Sequence, residues 1–224
     1  MKKMRIPLTV SAMLCAAVSL GASESLFNGE DLSGWTAVLD NDVTGGYAAR
    51  EKTWDVVDGA IRSTGTPFGY LRTKRADFAD FRLRVEYRWW RKTEAPNSGV
   101  FVRLSGERGS FIPTCYENQL CEGKAGDLLG LAGAPIEGRE PRDAYDPSKP
   151  LSGITACPKA RPSSERPFGE WNVLEVAVRG SELVSCVNGV EQNRVRGLVL
   201  KKGAIALQSE GGAIEFRKIV VEEF

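Results

Sequence analysis

Several carboxylates, amides and one arginine lie at polar positions of segments in which apolar and polar residues alternate. If these segments are strands of one sheet, their polar side chains could share a surface. Each lies in a run of alternating apolar and polar residues: Glu86, Arg103, Glu117, Gln119 and Gln208. Carboxylates can transfer protons, a guanidinium can stabilise negative charge, and amides bind hydroxyl groups. If these five side chains share a face, they form a polar cleft suited to a ligand rich in hydroxyls. Trp90 or Phe101 could then stack on the apolar side of a sugar ring.

The chain contains no histidine. Triads with a histidine base, His-ligated zinc and His-bound haem are therefore excluded. Any proton transfer must be carried out by carboxylates, lysine, tyrosine or water.

Structural explanations compete with this functional interpretation. Glu86 lies between Arg84 and Arg88, so it could belong to a cross-strand ion pair on a solvated face. Arg103 and Glu117 could likewise form a structural pair. The sequence leaves both alternatives open.

The elements that position these residues are predicted to be short antiparallel strands. Apolar and polar residues alternate with a period of two, and Gly, Asn, Asp and Pro separate the runs. The predicted strands are residues 81–90, 100–104, 115–121, 171–179, 183–187, 204–208 and 214–221. No window shows a convincing helical period, so the sequence predicts an all-β antiparallel sandwich without a helical core.

Strict alternation assigns each side chain of the central strands to a face. From Phe81 to Trp89, every second residue is apolar and should point into the core, which leaves Glu86 and Trp90 on the polar face. By the same rule Leu104 points inward and Arg103 faces the polar side. This assignment places the candidate residues together.

Residues 133–169 interrupt the pattern with seven prolines among charged and small residues. We expect a long surface excursion there, which is either functional or an insertion that touches nothing.

The cysteines allow a limited set of bridges. Cys115 and Cys121 would lie about 20 Å apart if they shared one extended strand, too far for a disulfide. Cys121 with Cys157, closing the long loop between them, is the preferred pair. The alternative is that Cys115, Cys121, Cys157 and Cys186 are all buried thiols.

Residues 1–22 are typical of a signal peptide. Lys2, Lys3 and Arg5 precede an apolar stretch that ends at small residues, and cleavage is expected near Ala22. Export to the periplasm or outside the cell follows, with lipid anchoring through Cys15 the less favoured alternative. Without its basic leader the chain has 27 basic residues, down from 30, against 29 acidic ones, a net charge of about −2. That charge argues against nucleic-acid partners, and residues 23–224 should form one domain without an integral membrane segment.

An ordered set of short motifs extends over nearly the whole predicted domain. In chain order they are Leu26-Phe27-Asn28-Gly29, Leu32-Ser33-Gly34-Trp35, Asp58-Gly59-Ala60-Ile61, Asn97-Ser98-Gly99-Val100, Glu117-Asn118-Gln119, Gly169-Glu170-Trp171-Asn172, Asn188-Gly189 and Phe216-Arg217-Lys218-Ile219. The set resembles the bacterial family of 3-keto-disaccharide hydrolases, long called domain of unknown function 1080. This resemblance implies a concanavalin-like jelly roll and a small-molecule or oligosaccharide substrate oxidised at the third sugar carbon.

Such a substrate makes catalysis without histidine credible, because the carbonyl acidifies the proton on the second carbon. The resemblance then implies Glu117 as general base, Glu86 as acid or second base, and Arg103 as stabiliser of the enolate. Gln119, Gln208 and Asn97 would orient hydroxyl groups. A divalent metal could replace the arginine, although the sequence does not show one.

The chain also departs from the pattern of the family it resembles. Relatives often carry a histidine just after the final Leu-Gln, where this chain has Ser209-Glu210-Gly211. They also tend to have a tyrosine in the segment that corresponds to residues 126–133, and this chain has none there. A carbohydrate-binding module of the same fold that does not cleave its ligand is therefore the alternative function.

Overall fold

The segments of alternating apolar and polar residues form strands of two antiparallel sheets. The computed structural model describes residues 22–40, 53–94, 96–105, 111–149 and 151–224. The predicted signal sequence, apart from Ala22, lies outside these residues. No complete helix lies within the described ranges, and none of their elements is a helix that could cross a membrane.

Sheet A contains eight strands. They are β1 (Ser23–Ser25), β3 (Trp54–Val57), β4 (Ala60–Ser63), β6 (Phe81–Arg91), β11 (Asn172–Arg179), β12 (Glu182–Val187), β13 (Val190–Val195) and β15 (Ala213–Glu223). Their order is β13-β12-β11-β6-β15-β4-β3, and β1 pairs with the end of β15.

Sheet B contains seven strands. They are β2 (Trp35–Leu39), β5 (Gly69–Thr73), β7 (Gly99–Ser105), β8 (Thr114–Gln119), β9 (Leu128–Leu131), β10 (Thr155–Cys157) and β14 (Ala204–Ser209). Their order is β10-β9-β8-β7-β14-β5-β2. The predicted all-β sandwich is confirmed, and each of the seven predicted strands is present with ends shifted by no more than two residues.

The core lies between the two sheets. From sheet A, the alternating residues from Phe81 to Trp89 point inward, as predicted. From sheet B, Val100, Tyr116 and Leu207 face them. The period of two is therefore a consequence of burying one face of each sheet.

Sheet B also buries much of its outer face. A second apolar cluster forms there around Tyr70, Phe101, Cys115 and Ala206. The outer face of sheet A is instead charged, with arginines and glutamates alternating on β6 and β15. The two outer faces thus offer ligands very different surroundings.

A β-bulge at Arg103 breaks the alternation of β7. Arg103 has φ +49°, and the pairing of β7 with β8 shifts between Val102 and Ser105. The extra residue reverses the faces of its neighbours. Leu104 therefore joins the outer cluster, and the predicted orientations of Leu104 and Arg103 are both wrong.

The Arg103 guanidinium is buried, and it donates to residues just before β6, in the turn between β11 and β12, and in the segment after β13. It donates to the carbonyl oxygens of Ala79 (3.0 Å), Gly180 (2.7 Å) and Leu200 (2.8 Å), and to Asp80 Oδ1 (2.9 Å). Burial lowers the pKa of Arg103, an effect that Asp80 opposes. The arginine therefore ties the two sheets together.

Two further expectations are corrected. Cys121 and Cys157 are free thiols, so the predicted disulfide is wrong. Residues 133–169 are not wholly irregular, because β10 lies among them and adds an edge strand to sheet B.

Substituting Arg103 tests the tie between the sheets. Arg103→Met keeps the aliphatic stem but leaves three carbonyls and Asp80 without their donor, so it should lower the free energy of unfolding by about 3 kcal/mol. Urea denaturation measures this change. Arg82→Met, on the outer face of sheet A, is the control and should stay within about 0.5 kcal/mol of the parent protein. Equal, small effects of both substitutions would contradict the assigned role.

Candidate functional site

A buried carboxyl on the outer face of sheet B is the centre of the candidate site. Glu117 lies on β8 opposite Phe101 of β7, and only 2% of the residue is exposed. Its side chain extends over Gly99, where a Cβ would overlap the carboxyl group. Within the described residues, Glu117 has no cationic partner and its Oε1 atom has no hydrogen bond. Gly99 therefore provides the space in which an unpaired carboxyl is held.

A second carboxyl, which the sequence interpretation did not select, lies close by. Glu210 follows the end of β14, and its Oε2 atom accepts a hydrogen bond of 2.6 Å from Asn97 Nδ2. The Gln208 amide also donates to it. Like Glu117, it has no cationic partner in the part of the chain that the structure describes.

Burial raises the pKa of both carboxyls. For Glu117, burial is the main cause of a pKa well above its usual value, and the nearby charge of Glu210 raises it further. Burial also raises the pKa of Glu210, while the hydrogen bond from Gln208 opposes the change. Glu117 thus retains a proton more readily, and the amide donors favour the charged form of Glu210.

Two amide oxygens at this site are left without partners. Asn97 Oδ1 and Gln208 Oε1 are buried and accept no hydrogen bond from the described residues. The backbone around them is fixed, because Ser98 Oγ donates to the Gln208 carbonyl at 2.7 Å and Gly212 N donates to the Asn97 carbonyl at 2.9 Å. A buried acceptor without a partner needs a donor from outside the described residues, such as an ordered water or a hydroxyl group of a ligand.

Gln119 is on the same face but has a local role. Its Oε1 atom accepts from the backbone N–H groups of Leu120 (3.0 Å) and Cys121 (3.1 Å), which shapes the turn after β8. This matches the alternative in which a glutamine satisfies backbone groups.

Tyr70 extends the site towards β5. It pairs with Gln208 across β14 and β5, and burial raises its pKa to about 12. It packs edge-on against the fully buried Phe101, with ring centroids 5.9 Å apart. Phe101 therefore fills the outer cluster, and its ring face is not offered to a sugar.

Glu86 is not part of this site. It lies on the outer face of sheet A, where Arg84, Arg217 and Lys218 pair with it at 3.1, 2.8 and 3.2 Å. Burial alone would raise its pKa, but these cations outweigh burial and leave the pKa below its usual value. The predicted shared face is wrong for Glu86 because a period of two assigns a face but not a sheet.

Trp90 and Arg103 are also separated from Glu117. Trp90 lies on the outer face of sheet A, donates to the Ser63 carbonyl at 3.0 Å and carries Arg62 over its ring at 4.5 Å. Arg103 points to the opposite side of sheet B from Glu117, towards the start of β6 and the turn between β11 and β12 in sheet A. Its predicted place beside Glu117 is wrong, because the bulge turned it away. Of the residues predicted from sequence, the structure brings together Asn97, Glu117, Gln119 and Gln208. It separates Glu86, Trp90 and Arg103 from them.

Comparison with known families identifies the chain. A model of the 3-keto-alpha-glucoside-1,2-lyase-like domain matches residues 22–222. The chain belongs to this family. The family resemblance predicted from the ordered motifs is therefore confirmed, and the protein is a member of a carbohydrate-processing family.

Solved structures similar to this family member share its jelly-roll fold. A candidate glycosyl hydrolase from Parabacteroides distasonis ATCC 8503 is 19% identical with a TM-score of 0.63, over 91% of this chain and 94% of that one. The carbohydrate-binding module CBM66 from Bacillus subtilis is 10% identical with a TM-score of 0.59, over 87% and 98%. Porphyranase B from Zobellia galactanivorans is 11% identical with a TM-score of 0.56, over 90% and 91%. No curated protein sequence matches the chain.

In this 3-keto-lyase-like domain, the site offers acid–base chemistry. Two coupled carboxyls with different surroundings can hold one proton between them. No cluster of three acidic or thiol side chains suited to a metal ion occurs among the described residues. The one sequence signal for Glu210 was its position just after Leu207-Gln208, in the segment that departs from the pattern of relatives.

Glu117 should make the stability of this domain depend on pH. Its pKa is raised in the folded state, so the folded protein retains a proton that the unfolded chain releases above pH 4.5. Stability from this group is therefore complete below that pH and decreases, by at most about 1.4 kcal/mol per pH unit, as pH rises towards the folded-state pKa. Glu117→Gln is permanently neutral and should lack this decrease.

Urea denaturation of both proteins between pH 4 and 8 tests this expectation. The stability of Glu117→Gln relative to the parent should increase with pH. A difference that is constant, or that decreases with pH, would show that Glu117 is not a carboxyl with a raised pKa. Glu175→Gln, on β11 of sheet A, is the control for loss of a carboxylate elsewhere.

Proposed function

We propose that the protein cleaves glycosides that carry a ketone at the third carbon of the sugar, by elimination followed by addition of water. Family membership supports the sugar substrate. The observation that carries the proposal is the pair of the buried Glu117 and the half-buried Glu210, two carboxyls that lack a cation within the described residues. By contrast, the buried carboxylates Glu86 and Glu215 are each neutralised by two or more cations.

The two carboxyls take different roles because their surroundings differ. Glu210 accepts hydrogen bonds from two amide nitrogens, which favour its anion, so it serves as the general base. Glu117 has no such donor, retains its proton and serves as the general acid. This reverses the expectation from sequence, in which Glu117 was the base and Glu86 the acid.

The first half of the reaction is an elimination. Glu210 removes the proton from the second carbon, and the electron pair of that C–H bond moves into the enolate formed with the ketone. When the enolate collapses, a double bond forms between the first and second carbons and the glycosidic C–O bond breaks. Glu117 gives its proton to the leaving oxygen.

The second half adds water across the new double bond. The Glu117 carboxylate takes a proton from water as the hydroxyl bonds to the first carbon, and Glu210 returns its proton to the second carbon. The net reaction is hydrolysis, and both carboxyls regain their initial states. Asn97 Oδ1 and Gln208 Oε1 accept hydrogen bonds from the sugar hydroxyls throughout.

The N-terminal sequence supports action outside the cytoplasm. Residues 1–22 have the pattern of a signal peptide, and a periplasmic or extracellular glycosidase meets its oligosaccharides there.

Substrates with good and poor leaving groups separate the roles of the two carboxyls. Glu210→Gln should abolish cleavage of both 4-nitrophenyl and methyl 3-keto-glucosides, and exchange of the second-carbon proton with deuterium oxide. The Glu117→Gln variant should cleave the methyl glycoside about 10²–10⁴-fold more slowly than the parent protein. It should still cleave the nitrophenyl glycoside well, because that leaving group departs without a proton. Aglycone release and proton NMR measure these effects.

Glu86→Gln is the matched control and should retain activity on both substrates. Loss of activity in Glu86→Gln with full activity in Glu117→Gln and Glu210→Gln would overturn the assigned site. If the parent protein, with or without divalent metal, neither cleaves nor exchanges, and binds ordinary glycans as tightly as 3-keto-glycosides, the protein is a binding module.

Gly99 provides a separate test of the geometry. Gly99→Ala places a methyl group where the Glu117 carboxyl lies, so it should slow cleavage of the methyl glycoside by about as much as Glu117→Gln while leaving the fold intact. In Gly34→Ala the new Cβ meets only Leu26 O at 3.7 Å, an ordinary contact, and activity should be retained. Steady-state kinetics and circular dichroism of both variants provide the comparison. Normal activity in Gly99→Ala would show that the position of the carboxyl is not critical.

A further inference from the structure

A cleft of about 200 Å³ opens on the outer face of sheet B, beyond the carboxyl pair. Thr36 and Val38 of β2 and Arg72 of β5 line it together with Lys74, which follows β5. Thr36 lies directly opposite Arg72 in the strand pairing. Two cations and a hydroxyl group therefore converge on one small cleft.

The two cations in this cleft are not neutralised by acids in the described part of the chain. Among the described residues, Arg72 makes one hydrogen bond, from Nε to the Thr73 carbonyl at 3.3 Å, and neither Arg72 nor Lys74 forms an ion pair. The charge of Lys74 lowers the pKa of the exposed Asp31. Elsewhere arginines with acidic partners are common, and these include Arg62, Arg75, Arg84, Arg88, Arg103, Arg194, Arg196 and Arg217.

Unpaired like charges side by side repel each other, and a bound anion would relieve that repulsion. Arg72 is half-buried, so a charged group that reaches its Nη atoms is partly shielded from water. Arginine offers paired donors that match a carboxylate or sulfate group, while lysine and threonine add further donors. The chemistry of the cleft thus fits an oxyanion.

The cleft lies on the same face of sheet B as the candidate site. Arg72 lies opposite Ala206 of β14, two residues from Gln208, and Tyr70 pairs with Gln208 directly. The charge of Arg72 also partly offsets the effect of burial on the pKa of Tyr70, which indicates that the two side chains are close. From β5 to β8 the sheet spans three strand spacings, about 14 Å. A glycan that reacts at Glu117 and Glu210 can extend across β14 to this cleft.

We infer that the cleft formed by Thr36, Arg72 and Lys74 binds a carboxylate or sulfate group on the part of the glycan beyond the reacting sugar. That the anion belongs to a glycan rests on the proposed function. The presence of an anion-binding cleft rests only on the unpaired cations and their geometry. The protein therefore prefers acidic oligosaccharides over neutral ones.

Binding of matched disaccharides tests the inference without requiring turnover. Calorimetry compares cellobiose with two acidic analogues, one carrying a carboxylate and the other a sulfate ester at the sixth carbon of the reducing sugar, which lies beyond the sugar that would react. The parent protein should bind at least one acidic analogue about tenfold or more tightly than cellobiose, as expected for a charge-assisted hydrogen bond. The analogue with the greater affinity identifies the anion. The preference should weaken at high salt, and inorganic sulfate should compete with the acidic analogues only.

Substitutions of the cleft residues test whether the cleft causes the preference for acidic disaccharides. Arg72→Gln should bind acidic and neutral disaccharides with equal affinity, and the exposed Lys74→Gln should lose part of the preference even if Arg72→Gln folds poorly. Arg82→Gln makes the same chemical change on the outer face of sheet A and should behave as the parent. Equal affinities for all three disaccharides in the parent, or an unchanged preference in both cleft variants, would overturn the inference. Absence of 3-keto-glycoside cleavage would count against the proposed chemistry but would leave this binding preference in place.

Discussion

The buried guanidinium of Arg103 is the interaction on which the arrangement of the two sheets depends. A bulge in β7 points it away from sheet B, and it donates to three carbonyls and one carboxylate at the ends of strands of sheet A and in the segment after β13. The bulge offsets β7 from β8 and, at the same end, from β14. Beyond the bulge, regular pairing places Phe101 beside Glu117 and Gly99 beside Gln119. The register that brings the Glu117 carboxyl over Gly99 is thus set where the arginine joins the sheets.

The two sheets differ in whether their acidic side chains have cationic partners. On sheet A, Glu215 is held by Arg62 and Arg88, each at 2.6 Å, and Trp171 packs against Arg88 and Arg217. These ion pairs and cation–π contacts stabilise that face of the sandwich. On sheet B, Glu117 and Glu210 receive no cation from the described residues, which leaves their protons available for chemistry. Burial of an unpaired carboxyl is costly, so this arrangement favours a functional explanation over a structural one.

Sequence alone predicted seven of the fifteen strands among the described residues, the all-β class and four members of the site, because period-two alternation indicates which face of a strand is buried. It could not assign Glu86 and Glu117 to different sheets, since alternation contains no information about which strands pair. The orientation of Arg103 was predicted wrongly because the β-bulge inverts the alternation, and the bulged residue is not a glycine, which would have indicated a bulge in the sequence. Glu210 was missed because it lies beyond the end of a strand, where no period applies. The disulfide prediction was wrong for a related reason, because cysteine spacing limits which pairs are possible but does not select one.

Because the chain has no histidine, few groups other than the buried carboxyls are expected to change protonation state near neutral pH. Few side chains other than imidazole ordinarily change charge between pH 5 and 8. Burial also raises the pKa of the Cys115 and Cys121 thiols, which keeps them protonated in that range. Infrared bands of protonated carboxyl groups near neutral pH would therefore report mainly on Glu117, Glu210 and the other acids whose pKa burial has raised. The movement of a proton to or from these carboxyls could be followed in this molecule without isotopic labelling of individual residues.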